Sequence, residues 1–585
     1  LISPPISDLS SGLNRLRMQI AFEGGGTAFS DTLFVGVTNS QTNAAAFVPL
    51  DTITMENTNG GFEEYSFHFD NPTLVGSNNF IAFSYKTAGG GYEYFIDDFI
   101  YEPIPSCIVP SNLNVSNITN SSANINWVEQ NSATEWEIEY GTEGFTQGTG
   151  TTVIVNTKPH SLSGLTAYST YDYYVRSVCA VGDTSRWSPK AYTFTVGLPL
   201  AGLYSIDSAQ VTGGANFQSF SDFGNIINLV GVSGPVQVNV APGVYYDQLS
   251  LYDIEGSSAA NPISINGQNS GQVTLSHDQS LRNSTITLER VNNIEVKNLT
   301  IEATGGSDSW GIHILDSSHH LSIDSNRVIM PVGTTIDVVG IMISNSETLD
   351  NSSGDNGYYI SITNNHITGG ERGISTYGGG STSRNRALLI EGNEIYDADD
   401  NGIYVYGYDS VAVRSNHVDN LNNSGSDALY LAESENFEVS GNYLRGQDNG
   451  IDTDDLNFDN TVTQNSWIFN NMFIGDDDGA YFDDSEYISF YHNSFKGEDY
   501  GIYANDHLSW DVRNNIFYGN TDYAFYSPDS LAITMDYNLY YTGGTDLIRF
   551  GGTSNIYTDL AALQSGMPSL NANSLEGDPL FFGAT

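Results

Sequence analysis

Leu321-Ser322-Ile323-Asp324-Ser325-Asn326-Arg327-Val328 decides the fold, because the phrase keeps returning. It recurs at 360–367, 411–418, 437–444, 488–495 and 510–517, each time as apolar, any, apolar, two residues, Asn, a gap, apolar. The Asn positions are Asn326, Asn365, Asn416, Asn442, Asn493 and Asn515, and looser copies add Asn393, Asn471 and Asn538. Successive members are 39, 28, 23, 26, 29, 22, 22 and 23 residues apart. Spacing that returns to about 22 and otherwise only lengthens describes a fixed unit with insertions in its loops, which is a solenoid.

A second phrase falls inside most units: Gly311-Ile312, Gly340-Ile341, Gly373-Ile374, Gly402-Ile403, Gly450-Ile451 and Gly501-Ile502, with Ala428-Leu429 and Gly479-Ala480 as weaker copies. Each opens a short alternating run, which is strand periodicity. Two or three short strands in about 22 residues leave no room for a helix, so the expected architecture is a parallel β-helix. A β-propeller would need blades of roughly 40 residues. Coils stacked about 4.8 Å apart should place the Asn residues in one ladder at one corner. There their amides can donate and accept along the axis and close a turn with an unusual backbone angle.

Composition bounds the rest. The 585 residues are enough for several domains, and 69 acidic against 19 basic residues give a formal charge of −50. Such a surface repels nucleic acid and anionic membrane. No apolar run approaches the length of a membrane span, so direct membrane insertion is not expected. The acidity, with 60 Gly and 36 Tyr, points to an extracellular, calcium-rich or salty setting. The chain opens on Leu1 in what reads as mid-domain, so a longer parent, truncated at the N-terminal side, is expected.

Residues 1–105 alternate apolar and polar at 13–22, 33–37, 65–69, 80–85 and 92–101, with Gly/Asn/Thr turns between. The last run, Tyr94-Phe95-Ile96-Asp97-Asp98-Phe99-Ile100, resembles the closing strand of jelly-roll modules of the MAM and choice-of-anchor type. Residues 106–197 resemble a fibronectin type III domain through Trp127, Gly164-Leu165, Tyr171, Tyr173, Val175 and Trp187. In an exported protein, Cys107 and Cys179 of that segment are expected to pair, contributing about 4 kcal/mol on the chain-entropy model; two buried free thiols are the alternative. From 198 to 585 the solenoid is expected, opened by an amphipathic capping helix through Phe217, Phe220, Phe223, Ile226, Ile227 and Val230. Residues 236–240 read as its first coil. Gly577-Asp578-Pro579-Leu580-Phe581 resembles the closing phrase of many β-helix domains.

The order of these modules, with Cys107-Ile108-Val109-Pro110-Ser111-Asn112-Leu113 and Gly202-Leu203-Tyr204-Ser205-Ile206 at the joins, resembles large modular surface proteins of the type IX secretion system. The resemblance implies an all-β chain: a jelly-roll-like sandwich, a fibronectin sandwich, then a right-handed parallel β-helix. It also implies a secreted, cell-surface location and an adhesive or filament-like role. Partners would be cell-surface glycans or further copies of the chain, in a homo-oligomer.

Chemistry on a β-helix belongs to outward columns. The residue after each Gly-Ile pair is expected to point out, giving His313, Met342, Ser375, Tyr404, Tyr430, Asp452, Tyr481, Tyr503 and Phe525. Two residues on, the next column reads Tyr377, Tyr406, Ala432, Asp454, Asp483 and Asn505. Tyr404, Tyr430, Tyr481 and Tyr503 could stack sugar rings, or reflect only the strand preference of Tyr. Between 448 and 486 stand Asp448, Asp452, Asp454, Asp455, Asp459, Asp476, Asp477, Asp478, Asp483, Asp484 and Glu486, with no Lys or Arg between Arg445 and Lys496. Three outcomes would relieve their repulsion. Water and counterions could solvate them, Asp452, Asp454, Asp483 and Asp484 could hold a structural Ca2+, or Asp452, Asp454 and Asp483 could share protons in glycoside hydrolysis. The base that β-helix lyases use and the Gly-His-Gly and Arg-Ile-Lys motifs of polygalacturonase-like hydrolases are missing. The reading adopted is therefore a structural and adhesive segment, with a polysaccharide hydrolase or a non-catalytic carbohydrate-binding protein as alternatives.

Overall fold

The computed structural model describes residues 1–23, 32–54, 62–69, 80–86, 93–130, 132–189, 191–278, 283–305, 308–333, 337–346, 352–354, 356–379, 384–420, 423, 425–457, 466–506, 509–528, 533–551 and 555–580. Tyr92, Asp459 and Phe581, named above, lie outside the described residues. Contacts divide the chain into two units, Leu1–Leu198 and Pro199–Thr585.

The first unit holds two antiparallel sandwiches. In the N-terminal one, Asn14–Glu23 lies between Glu63–His68 and Glu93–Pro103, and Thr32–Thr38 lies between Val48–Thr54 and Phe80–Lys86. Leu16, Met18, Ile20, Val35, Val37 and Ile81 fill the space between these sheets. Strand Val48–Thr54 is not evident in the sequence because Pro49 and Asp51 break its alternation. It is an edge strand paired only with Thr32–Thr38, where a missing N–H is tolerated. In the second sandwich Trp127 packs edge-on against Trp136, ring centroids 5.3 Å apart. The backbone N–H of Thr166 donates to the Tyr171 hydroxyl at 3.0 Å, forming the tyrosine corner. Cys107 and Cys179 form a disulfide with Cα atoms 5.7 Å apart.

The second unit is a parallel β-helix. Its described strands form three sheets, parallel except where Ile556–Tyr557 pairs antiparallel with Ile548–Phe550: a first of 14 strands from Leu200–Ile206 and Asn216–Phe217 onward, a second of 13 from Gly243–Tyr246, and a third of 13 from Leu249–Tyr252. From Val232 to Phe550 each coil contributes one strand to each sheet. The Asn ladder stands at the corner between the first and second sheets. Along Asn326, Asn365, Asn393, Asn416, Asn442, Asn471, Asn493, Asn515 and Asn538, every Nδ2 donates to the next Oδ1 at 2.9–3.3 Å. The same oxygen accepts the preceding Asn backbone N–H at 2.8–3.0 Å. The residue before each Asn carries the left-handed angle, as at Ser325 (φ 56°), Asn364 (54°), Ser415 (51°) and Asn514 (58°). The ladder therefore supports the turn, while its strained position is one residue earlier.

The Gly of the Gly-Ile phrase has a steric cause. A Cβ on Gly373 would meet the carbonyl oxygen of Gly402 in the next coil at 2.7 Å. The Ile that follows points inward, and Ile312, Ile341, Ile374, Ile403, Leu429, Ile451, Ala480 and Ile502 are all buried. Fully burying each large apolar side chain stabilises by about 1.5–3 kcal/mol.

The helix α1, Phe220–Val230, caps the N-terminal end, with Ser219 accepting from the Asp222 N–H and Gly231 (φ 66°) at its C-terminus. It begins later than the periodicity predicts, because Phe217 belongs to a short strand beside Leu200–Ile206. That strand pairs with Val232–Val240, so α1 is inserted after the first strand of the solenoid. Asn228 donates to Ser250 O (2.9 Å) and accepts from Tyr252 N–H (3.1 Å), meeting the otherwise unpaired edge of the third sheet. A second helix, α2 (Leu560–Gly566), capped by Asp559, lies near the other end; it is not foreseen in the sequence.

Candidate functional site

The third sheet carries the outward columns, and its early coils depart from expectation. His313, Met342 and Ser375 do alternate with inward residues, yet all three are buried. Trp310 lies against His313 at 4.6 Å, Trp310 also packs with Val339 and Met342, and Ser344 O lies 3.3 Å from His313 Nε2. Phe525 is a second correction. It pairs with inward Ile502, and Tyr526 pairs with Tyr503, because Ala524 takes the Gly position and the phrase is displaced by one residue. A one-residue slip exchanges the faces of a strand.

From Tyr404 onward the column is half-exposed and reads Tyr404, Tyr430, Asp452, Tyr481, Tyr503, Tyr526, Arg549 in register. The tyrosines stack on one another: Tyr404 on Tyr430 at 4.9 Å with rings 10° from parallel, and Tyr481 on Tyr503 at 4.9 Å and 17°. Tyr377 lies 5.0 Å from Tyr404, and Tyr526 lies 4.8 Å from Tyr503. Rings stacked along the axis cover one another's faces, except where Asp452 stands between Tyr430 and Tyr481. The four proposed carbohydrate-binding tyrosines therefore do not make a flat shelf for sugars, and their edges and hydroxyls are what the face presents.

Asp452 interrupts this ladder. Burial, with the charge of Asp427 in support, pushes its carboxyl up to about 8. Asp427 itself is buried in the coil before, accepting from Asn449 N–H (3.1 Å) and Asn449 Nδ2 (2.9 Å); burial raises it to about 7. Asp478 accepts from Tyr500 N–H at 3.1 Å and is raised by burial to about 8. Asp477, on the turn beside it, is raised to about 6 by partial desolvation and a hydrogen bond with Asp499. Asp454, on the same face as Asp452, is raised by desolvation and by the charges of Asp455 and Asp483.

The carboxylates that converge are Asp483, Asp484 and Asp506, with one oxygen of each within 4.8 Å of the others. Asp483 also accepts from Asn505 Nδ2 at 2.8 Å. Of the four proposed metal ligands, Asp483 and Asp484 belong to this group. Asp452 and Asp454 lie outside it, because they stand on the strand face and the group stands at the turn that follows the third sheet. Asp427, Asp499 and Asp506 were not singled out in the sequence. The signal for two of them was the coil length, since Asp499 and Asp506 each follow an Asp, Asp477 and Asp484, by 22 residues.

An open groove of about 560 Å³ is lined by Leu203, Pro235, Gln237, Ser264, Asn266 and Lys297 on the first sheet, away from these acids. No described helix is long and apolar enough to cross a membrane.

Residues 341–467 match the right-handed β-helix region and residues 109–194 match the fibronectin type III domain. No curated protein matches the sequence. Among solved structures, the chain is similar to the A-module of mannuronan C-5 epimerase AlgE6 from Azotobacter vinelandii, at 13% identity over 61% of this chain and 93% of that one, TM-score 0.37. It is similar to the GH136 lacto-N-biosidase from Eubacterium ramulus at 13% identity over 54% and 64%, TM-score 0.37. It is also similar to pectate lyase Pel9A at 11% identity over 55% and 80%, TM-score 0.34. No activity is carried over from them. The chain is an all-β modular protein that joins a jelly-roll-like sandwich, a fibronectin type III domain and a right-handed parallel β-helix, a composition that fits an extracellular protein.

Proposed function

We propose that this chain is a contact segment of a large secreted cell-surface protein or extracellular filament. Its two sandwiches are spacers, and its β-helix is a stiff scaffold whose third sheet meets glycans. The observation that carries this reading is the repetition of tyrosines, interrupted once by Asp452, in one outward column from Tyr404 to Tyr526. A repeating face suits an extended partner held by many weak contacts at once. The formal charge of −50 favours neutral or cationic glycans over polyanions. Export by a type IX system belongs to this reading and rests on the order of the sequence modules.

The reading includes a structural Ca2+ at Asp483, Asp484 and Asp506, since converging carboxylate oxygens are the hard ligands this ion takes, with water completing its shell. It also includes side-by-side association of copies; a monomeric mass at micromolar concentration with calcium would remove that part. Beads coated with the whole chain should adhere to surfaces bearing neutral or amino polysaccharides, and adhesion should fall when Tyr404 and Tyr503 are both replaced by Ala. Absence of adhesion to every such surface would refute the contact role.

A second reading, a glycoside hydrolase, is favoured by one observation. Asp452 is raised to about 8, which keeps a carboxylic acid protonated at neutral pH as a general acid requires. Asp454 and Asp483 would supply the second carboxylate. Reducing ends released from a polysaccharide by the chain, and lost in Asp452→Asn, would establish it.

A further inference from the structure

The tyrosine column has a missing rung, and its geometry is that of a slot. Tyr430 and Tyr481 both pair in register with Asp452, on opposite sides. Each has one face covered by a neighbouring ring, Tyr404 at 4.9 Å and Tyr503 at 4.9 Å. The other face of each looks across the Asp452 coil, and no described ring or guanidinium stacks on it. The outer ends of the column are treated differently. Arg372 lies 4.7 Å over Tyr404 and Arg549 lies 4.9 Å over Tyr526. Among the described residues, cations therefore lie over the two end tyrosines, with Tyr377 also against Tyr404, and nothing stacks on the two inner faces.

We infer that the gap between Tyr430 and Tyr481 is a subsite for one hexopyranose ring that carries no negative charge, held between the two tyrosines with Asp452 beneath it. This deepens the glycan-contact reading and rests on it for the class of ligand. Two strand spacings of about 4.8 Å put the tyrosine planes about 9.6 Å apart. Two carbon contacts of about 3.5–4.0 Å take up about 7–8 Å of this. The remainder is more than the pucker of a chair requires, so a saturated ring enters without clash, and a flat aromatic ring would fit more loosely still. The aromatic faces accept the C–H side of a sugar, and the carboxyl below can hydrogen-bond a ring hydroxyl. Asp454 lies near enough to Tyr430, and Asp483 to Tyr481, for its charge to act on the hydroxyl, and no Lys or Arg occurs between Arg445 and Lys496. A uronate or sulfated ring would meet only like charge, while an amino sugar would gain from it.

Calorimetry of the whole chain with three hexamers tests this: β-1,4-linked glucose, β-1,4-linked glucosamine and α-1,4-linked galacturonate. Binding is expected in the order glucosamine, glucose, then none for galacturonate. Asp452→Tyr supplies the missing rung. It should weaken binding at least tenfold while leaving the melting midpoint unchanged or raised. Asp452→Ala keeps the slot open and should weaken binding only about three- to tenfold; it also serves should the tyrosine variant misfold. Tyr430→Ala and Tyr481→Ala should each lose binding. Hexamer binding that Asp452→Tyr leaves intact, equal binding of galacturonate, or binding of no hexamer would overturn the slot. The two ideas separate in the bead experiment. Beads that adhere while the slot fails leave the contact role standing, and slot binding without bead adhesion leaves the subsite without that role.

Discussion

Two regions of this β-helix bring polar side chains of successive coils together, and they solve that crowding differently. At the corner between the first and second sheets the side chain is Asn, buried and almost without exposure from Asn326 to Asn538. An amide both donates and accepts, so each member satisfies the next and the column can extend indefinitely. At the turn before the third sheet, Asp427, Asn449 and Asp478 follow one another coil by coil, with Asp477 beside Asp478, while Asp452 stands on the sheet itself between Tyr430 and Tyr481. An ionised carboxylate only accepts, and neighbours about one strand spacing apart repel. Such a group persists by taking up protons, by interleaving amides such as Asn449 against Asp427, or by binding a cation. The lesson is that a ladder of identical residues is cohesive only when its chemistry is self-complementary. The amide column is built for stability and the acid region is open to ligands and to pH.

The largest expected effect breaks the amide column. Asn442→Ala removes the acceptor for Asn416 N–H and Nδ2 and the donors to Asn471 Oδ1 and Val413 O. Denaturant unfolding should show a loss of about 1–3 kcal/mol. A neutral result there and at Asn471 would remove the energetic distinction between the regions.

The acid region should make stability depend on pH in the opposite sense to ordinary salt-bridged carboxylates. Asp427, Asp452 and Asp478 have folded values of about 7, 8 and 8, above the ordinary 3.8. Their stabilisation is fully present below the unfolded value and is lost as pH rises through the folded values. Glu438 is held down by its hydrogen bond from Arg414, and Asp253 by Arg290; their contribution is lost as pH falls below the carboxylate range. Melting should therefore be highest near pH 5 and decline by about 1–2 kcal/mol toward pH 9, after allowance for solvent screening. Asp427→Asn with Asp478→Asn should flatten the decline. A stability that rises from pH 5 to 9 would contradict the protonated acids.

A smaller effect belongs to the turn. Calcium at about 5 mM should stabilise the chain by about 1 kcal/mol if the affinity is that of extracellular modules. A chelator should reverse the gain, and Asp483→Asn with Asp484→Asn should abolish it. No response of the melting midpoint to calcium would leave Asp483, Asp484 and Asp506 as a solvated group.

The same contrast explains what could be read before the structure. The amide ladder was legible because one residue type and one geometric demand coincide at all nine positions, six of them in the same phrase and three in looser copies. The acid site was legible only in part. Asp452, Asp454, Asp483 and Asp484 stand out in the sequence as a dense acidic run, yet only Asp483 and Asp484 converge, and their partner is Asp506. Asp427, Asp499 and Asp506 become neighbours only through coil stacking, and Asp427 precedes the weak phrase Ala428-Leu429. His313, Met342 and Ser375 were misplaced as exposed because strand periodicity assigns a face and says nothing of what lies over it. Phe525 was misplaced because an Ala stood where the Gly was sought.

The contact role is tested most directly by surface plasmon resonance of the whole chain over an immobilised amino or neutral polysaccharide. The account predicts saturable binding that dissociates to the original baseline, cycle after cycle. A baseline that falls below its starting level, because the surface has been shortened, would contradict the contact role in favour of hydrolysis, and a response no different from a blank surface would contradict both.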